Sequence, residues 1–353
     1  MPLLNENDGF RRLGESLQSA DLVRLNSQMF GDVAENAVSL DPFMEADLEF
    51  SRADFFPGSL DALRLQGEQL GIPAGLDPMV MFYESMRFTI AKLPEPSPNY
   101  DLDEFLAFAS AIDDQEASRD SGLYAIGYCT TPRAYDPIIF AYLFGGGLFD
   151  QLPNPTAPAL NQPANVQAVE WYASLFDTYQ VAPQEIAGEY QVYGMVNSTS
   201  CGFWMSWMDM FGFARRLVTE PRVLPLPRVQ APFSVAALDG YFITKASLHS
   251  QEAWQWLSFV AQRQEASMGQ LPALTSQLAA LETLERLGEG AAAVAGTLSD
   301  DTIFFGLDFL GQGAAGEVYN LFTEAVVRVV EGETDAQTAL DEAQEQALQL
   351  YER

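Results

Sequence analysis

The chain has 353 residues, which is long for a single hydrophobic core and suits two domains of ordinary size. Hydrophobic residues make up 48% of it, so we predict a folded protein and not a disordered one. The net charge of −31 disfavours nucleic acid and anionic membrane surfaces as partners, because both are themselves negatively charged.

Several classes of function are excluded by composition. The longest apolar run, residues 137–149, is interrupted by glycines at 145–147, so no membrane-spanning helix is predicted. His249 is the single histidine, which removes the Ser/His/Asp and Cys/His mechanisms. Metal-ligand spacing does not occur, and we predict no metal and no cofactor. Cys129 and Cys201 can pair in an oxidising compartment, but simple buried thiols are the commoner arrangement in a large chain.

The first predicted strand covers residues 21–25 and is followed by a polar turn and a helix. Ligands bind at the carboxyl ends of strands in open α/β sheets, so the turn residues Asn26, Ser27 and Gln28 become candidate ligand contacts. A solvated loop is the alternative interpretation of the same three residues.

Residues 71–84 are predicted as a strand, a crossover and a second strand, because one acid and one proline interrupt an apolar run. Pro78 favours an extended Asp77 and removes a ladder donor, so Asp77 is predicted at the seam between two lobes. The alternative is an ordinary strand that ends in an Asp-Pro turn. Residues 235–244 repeat the pattern around Asp239, which indicates a second hinge strand.

The middle of the chain alternates predicted helices and strands. A capped helix begins at Asp101, a strand covers 124–129, and a loop containing the pocket candidate Tyr135 leads into a helix that ends at glycines 145–147. Residues 165–179 form an amphipathic helix. Two helices, 317–331 and 335–351, end the chain, and the second is predicted to start with a capping box at Thr334.

An aromatic segment, residues 201–213, holds the tryptophan candidates. Alternation predicts a buried strand over 202–206, with Trp204 directed one way and Trp207 just past the strand end. Flat aromatic faces hold sugar rings, so both are candidates, and burial of both in the core is the alternative.

One cofactor motif is rejected. Residues 311–316 (GQGAAG) match the dinucleotide fingerprint, but two helices follow and no second strand completes a βαβ unit.

Five segments in order resemble the extracellular solute-binding proteins, family 1, which deliver sugars to ABC importers. They are DLVRL (21–25), GIPAGLDPMVMFYE (71–84), DPIIF (136–140) with GGG (145–147), AVEWYA (168–173) and DGYFITKAS (239–247). The resemblance implies an α/β, two-lobed periplasmic-binding-protein fold with crossing hinge strands and a ligand cleft between the lobes. It implies ligand contacts at Gln28, Asp77, Trp207, Gly240 and Tyr241. Leu274 departs from the family pattern, which expects a basic or aromatic residue there.

The resulting prediction is a non-enzymatic, extracytoplasmic binding protein that closes on a neutral mono- or oligosaccharide. Its partners are the sugar and the permease subunits of an importer, and the protein itself is a monomer. The lobes are predicted as 1–76 with 238–310 and 77–237 with 311–353. The predicted ligand contacts are Asn26, Ser27, Gln28, Asp77, Tyr135, Trp204, Trp207, Asp239, Gly240, Tyr241 and Pro272.

Three alternatives stay open at this point: a polyamine-binding protein, a glycoside hydrolase using Asp77 and Asp239, and a truncated, non-binding remnant. The truncated remnant is an expectation from the resemblance, which implies an export signal or lipid-anchor cysteine and a first strand-helix-strand unit that we do not identify ahead of the second helix.

Overall fold

The computed structural model describes residues 17–26, 36–113, 125–152, 155–183, 189–197, 199–218, 221–229, 233–263, 270–278, 290–305 and 314–351. Contacts divide the chain into two compact units, each built from three segments. Unit 1 comprises 1–77, 236–287 and 302–315, and unit 2 comprises 78–235, 288–301 and 316–353.

The strands and helices alternate along the chain, as the sequence predicts for an α/β protein. The strands are β1 (Leu22–Asn26), β2 (Arg64–Leu65), β3 (Glu68–Gln69), β4 (Ile72–Glu84), β5 (Ile126–Tyr128), β6 (Cys201–Trp207), β7 (Pro221–Leu224), β8 (Val235–Ile243) and β9 (Ile303–Phe305). The helices are α1 (Asp41–Ala46), α2 (Ser85–Ala91), α3 (Leu102–Asp113), α4 (Asp136–Leu143), α5 (Pro163–Asp177), α6 (Glu189–Asn197), α7 (Phe211–Leu217), α8 (Ser250–Ala261), α9 (Thr275–Leu278), α10 (Ala291–Ala295), α11 (Ala314–Val330) and α12 (Ala336–Tyr351).

In unit 1, β8 lies between β1 and the first half of β4 in hydrogen-bonding order, and β9 also pairs with β8. Strands β1 and β8 are antiparallel, with Leu22 opposite Ile243 and Asn26 opposite Asp239. Helix α8 covers the core with its buried residues Trp254 and Leu257.

In unit 2, the second half of β4 pairs antiparallel with β6 and β7, and β6 pairs parallel with β5. Helices α3, α4 and α5 surround a ring-rich core in which Phe105 contacts Tyr128 and Phe203 at 5.2 Å between centroids. Edge-to-face rings of this kind fill the core without voids.

The interruption predicted at Asp77-Pro78 does not break the strand. Residues 72–84 form one continuous, fully buried strand, so the prediction of two strands joined by a crossover is wrong. The proline is tolerated because its φ suits extended backbone and because it lies between two pairings: Leu76 bridges Leu271, and Met79 is the first residue opposite β6. The boundary between the units falls at the same place, after Asp77.

Cys129 and Cys201 form a disulfide, and not the free buried thiols that chain length favoured. Strands β5 and β6 pair side by side, Cys129 follows directly after β5, and Cys201 is the first residue of β6. The Cα atoms are 5.5 Å apart, within the range a disulfide spans.

Two helix starts were predicted from capping boxes, and one needs correction. At α3 the box is present: Glu104 N donates to Asp101 Oδ1 at 2.9 Å and Asp101 N donates to Glu104 Oε2 at 3.2 Å. At α12 the cap is Asp335 and not Thr334, because Thr338 N donates to Asp335 Oδ1 at 2.9 Å. The Thr338 hydroxyl also donates to Asp335, at 2.8 Å. The two hydrogen bonds from Thr338 hold the pKa of the Asp335 carboxyl below its ordinary value.

One segment of the predicted lobe 238–310 falls in the other unit. Residues 288–301 belong to unit 2 by their contacts, because helix α10 packs against strand β7. Within the described ranges, every helix is too short or too polar to cross a membrane.

Candidate functional site

The described candidate contacts fall into two groups, one in each unit. Unit 1 contains Asn26, Asp77, Asp239, Gly240, Tyr241 and Pro272, and unit 2 contains Tyr135, Trp204 and Trp207. Ser27 and Gln28 lie outside the described residues. Each group is built by its own strands.

The aromatic cluster of unit 2 consists of Tyr135, Trp207 and Tyr319. The Tyr135 ring meets Trp207 at 5.8 Å between centroids and Tyr319 at 5.7 Å, and all three side chains are half-buried. Rings that brace one another while keeping exposed area form a flat apolar surface with polar tips.

The parallel pair β5 and β6 explains why Tyr135 and Trp207 meet. Trp207 is the last residue of β6, and Tyr135 lies in the turn after the carboxyl end of β5. Parallel strands end at the same sheet edge, and that edge is where α/β proteins bind ligands. The disulfide adds a covalent link between Cys129, at the start of this turn, and the first residue of β6.

A buried hydrogen-bond network fixes the other end of the turn. The Asp136 carboxylate accepts from Thr130 Oγ1 at 2.7 Å and from the Tyr128 hydroxyl, and Thr130 Oγ1 lies 2.7 Å from the Tyr172 hydroxyl. Burial raises the pKa of the Tyr128 and Tyr172 hydroxyls well above the ordinary tyrosine value, and the nearby Asp136 charge raises it further. Both hydroxyls therefore stay protonated. Tyr135 is therefore held between a disulfide and a satisfied buried network.

Sequence analysis missed Tyr319. It lies on α11, whose apolar stripe of Val318, Phe322 and Val326 is buried. Its position directly beside that stripe is the available signal, but nothing in the sequence shows which partner the helix face contacts. The neighbouring Glu324 pairs with Arg133 at 2.7 Å, in an exposed ion pair of little energetic weight.

The polar cluster of unit 1 consists of Arg24, Asp239 and Gln270. Arg24 Nη2 lies 2.8 Å from Asp239 Oδ2 and donates to Gln270 Oε1 at 3.0 Å, while Gln270 Nε2 donates to Asp239 Oδ1 at 3.1 Å. The three side chains form a closed ring of hydrogen bonds, so each one orients the other two. Sequence analysis identified Asp239 and missed both partners, which lie 215 and 31 positions away.

Close approach of the backbone makes room for this cluster. A Cβ at Gly75 of β4 would lie 2.5 Å from Gln270 Oε1, so a larger residue here would displace the Gln270 side chain from its place in the cluster. A Cβ at Gly240 would lie 2.7 Å from the Phe242 ring, which explains the glycine on β8 between Asp239 and Tyr241.

The remaining candidates of unit 1 lie near the cluster on paired strands. Tyr241 is opposite Arg24, whose guanidinium lies 5.7 Å from its ring centroid, and it also meets Trp256 at 6.0 Å. Asn26 is opposite Asp239. Asp77 is buried and follows Leu76, which exchanges backbone hydrogen bonds with Leu271, the residue before Pro272.

Trp204 is part of the core. It is 6% exposed and stacks on Phe82 at 5.3 Å with an interplanar angle of 11°. Burial in the core, the alternative left open for both tryptophans, therefore applies to Trp204, and we do not propose Trp204 as a ligand contact.

A separate groove of about 530 Å³ lies in unit 1, between α1 and one face of α8. Asp47 lines it and accepts hydrogen bonds from Trp254 Nε1 at 3.1 Å and Ser258 Oγ at 2.9 Å. None of the predicted contacts that the structure describes lines this groove. In the part of the chain that the structure describes, no group of three or more His, Cys, Asp or Glu residues is arranged to hold a metal ion.

No protein-family model matches the chain. Among solved structures, the cyclic α-maltosyl-1,6-maltose binding protein from Arthrobacter globiformis is similar, with a TM-score of 0.77 and 18% identity over 99% of this chain and 89% of that one. UgpB from Mycobacterium tuberculosis, in complex with glycerophosphocholine, gives a TM-score of 0.77 and 14% identity over 99% and 89%.

The ABC substrate-binding protein from Listeria monocytogenes in complex with cycloalternan gives a TM-score of 0.75 and 17% identity over 98% and 89%. At these identities the likeness shows the fold. The predicted fold class is confirmed: the chain has the mixed α/β fold of ABC substrate-binding proteins.

Proposed function

We propose that this chain is the extracytoplasmic substrate-binding component of an ABC importer and binds a neutral mono- or oligosaccharide. The observation that carries the proposal is the aromatic cluster of Tyr135, Trp207 and Tyr319, at the sheet edge where β5 and β6 end. Ring faces suit the C–H patches of a sugar, while tyrosine hydroxyls suit its hydroxyl groups. The similar proteins from Arthrobacter and Listeria are described with maltosyl and cycloalternan ligands, which agrees with this class.

The proposed location agrees with the disulfide. Cys129 and Cys201 are 1% exposed, and disulfides persist in oxidising compartments outside the cytoplasm. Permease subunits of an importer are the partners that this proposal requires.

A glycoside hydrolase is less well supported. Such an enzyme needs one protonated carboxylic acid and one carboxylate on either side of the scissile bond. Asp239, one of the two candidate acids, is already engaged inside the polar cluster, by Arg24 at 2.8 Å and by Gln270 at 3.1 Å.

A thermal-shift screen tests the proposal, with maltotetraose, tagatose, ribitol and spermidine as separate ligands. A ligand at about 100 times its Kd should raise the free energy of unfolding by roughly 2.7 kcal/mol. We expect stabilisation by maltotetraose or tagatose, and loss of that stabilisation in Trp207→Ala.

Phe213→Ala is the matched control, because Phe213 is an aromatic side chain of unit 2 that is 45% exposed outside the cluster. Stabilisation by no saccharide, or full stabilisation of Trp207→Ala, contradicts the proposal. Release of reducing sugar by the pure protein contradicts the non-enzymatic part of it.

A further inference from the structure

The polar cluster of unit 1 is balanced in charge. Arg24 and Asp239 contribute one charge of each sign, and both side chains are 17% exposed, so the pair is largely shielded from water. Arg24 Nε and Nη2 both lie within 3.0 Å of Asp239 Oδ2, while Gln270 occupies Oδ1. The rest of the molecule is strongly acidic, since the whole chain has a net charge of −31 and this pair contributes none of it.

We infer that Arg24 determines ligand charge, because its pairing with Asp239 makes this cluster accept an uncharged polyol and reject a polycation. This inference rests on the proposed function and concerns the charge of the ligand that the polar cluster of unit 1 accepts. It also addresses the polyamine alternative, which needs carboxylates that are free to pair with ammonium groups.

The geometry explains how Asp239 can still bind a hydroxyl. A carboxylate oxygen accepts about two hydrogen bonds. Among the described residues, Oδ2 has both positions filled by Arg24, whereas Oδ1 receives one bond from Gln270 and retains one position. One sugar O–H satisfies that position, but an ammonium group brought to it would meet the Arg24 guanidinium on the same carboxylate.

Arg24 is held in place by more than the ion pair. Its guanidinium lies 5.7 Å from the Tyr241 ring centroid, and Gln270 accepts from Nη2 at 3.0 Å. A planar guanidinium satisfies these three partners together, which a lysine ammonium would not. The compensation of charge is therefore built into the cluster before a ligand arrives.

A charge series on the folded full chain tests the inference by isothermal titration calorimetry. The wild-type pair has charge zero, Arg24→Gln has −1, Asp239→Asn has +1, and the double variant returns to zero. The probes are spermidine, glucose 6-phosphate, and the neutral saccharide that stabilises the wild type most in the thermal-shift screen.

We expect Arg24→Gln to bind spermidine at least about tenfold more tightly than the wild type, with an affinity that falls as salt rises. The double variant should lose that gain. Arg64→Gln is the control for overall charge, since Arg64 is also in unit 1 and lies 3.8 Å from Asp41; it should show no gain.

The reverse variant keeps the test decisive if Arg24→Gln does not fold, because loss of the arginine leaves a shielded carboxylate unpaired. Asp239→Asn should then bind glucose 6-phosphate at least about tenfold more tightly than the wild type. No gain of spermidine binding by folded Arg24→Gln, an equal gain by the double variant, or no gain of the phosphate by Asp239→Asn overturns the inference. Failure of every neutral saccharide to bind the wild type overturns the proposed function instead, and the spermidine comparison can still be read.

Discussion

Two tryptophans three positions apart have opposite roles because of what surrounds each ring. Trp204 lies over Phe82 at 5.3 Å in the core, whereas Trp207, at the end of β6, keeps exposed area and meets Tyr135 at 5.8 Å. A ring that neighbouring rings already hold in place loses little conformational entropy when a ligand stacks on it. At the residue scale, the exposed edge of the aromatic cluster is therefore the surface of unit 2 that we propose for ligand stacking.

Tyr319→Ala tests the residue that sequence analysis missed. Removal of one ring should raise the Kd for the saccharide about tenfold, equivalent to about 1.4 kcal/mol, because one stacking face and the support of Tyr135 are lost. The Kd is measured by titration calorimetry. Tyr179→Ala is the control, since Tyr179 is 45% exposed in the same unit and outside the cluster. An unchanged Kd in a folded Tyr319→Ala would remove Tyr319 from the site.

At the scale of elements, the turn after β5 depends on more than its strand. Strand β5 has three residues and few ladder hydrogen bonds of its own. The turn that it leads into is secured by the Cys129–Cys201 disulfide on one side and by the buried Asp136 network on the other. Two independent attachments hold Tyr135 without a long strand.

A double variant, Cys129→Ala with Cys201→Ala, tests the contribution of the disulfide to stability. The disulfide joins residues 72 positions apart, and loss of a constraint of that length lowers the free energy of unfolding by about 4 kcal/mol in the chain-entropy model. Guanidinium denaturation under non-reducing conditions measures the change. Wild-type protein kept in reductant should approach the unfolding midpoint of the variant. Coincident midpoints for the variant and the oxidised wild type would show that the two cysteines are not linked in solution.

At the scale of the whole molecule, both units are compact in spite of strong self-repulsion. It has 49 acidic and 18 basic residues, and some of the arginines are already engaged in ion pairs such as Arg328 with Glu342 at 2.7 Å. Repulsion among the remaining carboxylates destabilises the folded state, and dissolved salt screens it.

Salt should therefore raise the melting temperature near pH 7. Between about 10 mM and about 1 M NaCl the Debye length falls from about 30 Å to about 3 Å, which suppresses most surface repulsion. Differential scanning calorimetry measures the shift. The same titration near pH 4.1, the isoelectric point calculated from the sequence, should show little change, since the net charge there is close to zero. Equal shifts at both pH values would mean that salt acts on hydrophobic burial and not on charge.

Much of the fold could be predicted from the sequence alone, because local patterns report local physics. Hydrophobic periodicity located α3, α5 and α12, and the Asp101 capping box marked a helix start that the structure confirms. The apolar run 235–244 is strand β8, and the residues that end β6 and follow β5 were identified as candidates. The α/β class itself follows from that alternation of elements.

Other features depended on partners far away in the chain. The disulfide joins cysteines 72 positions apart, Arg24 and Gln270 reach Asp239 across 215 and 31 positions, and Tyr319 meets Tyr135 from the C-terminal part of the chain. Pattern analysis sees periods of two or 3.6 residues, so it detects which residues share a face but not which distant face lies opposite. Residue types and local elements were therefore determined by the sequence by itself, whereas the charge balance of Asp239 and the third ring of the aromatic cluster were decided by tertiary packing, because both exist only where separate strands and helices meet.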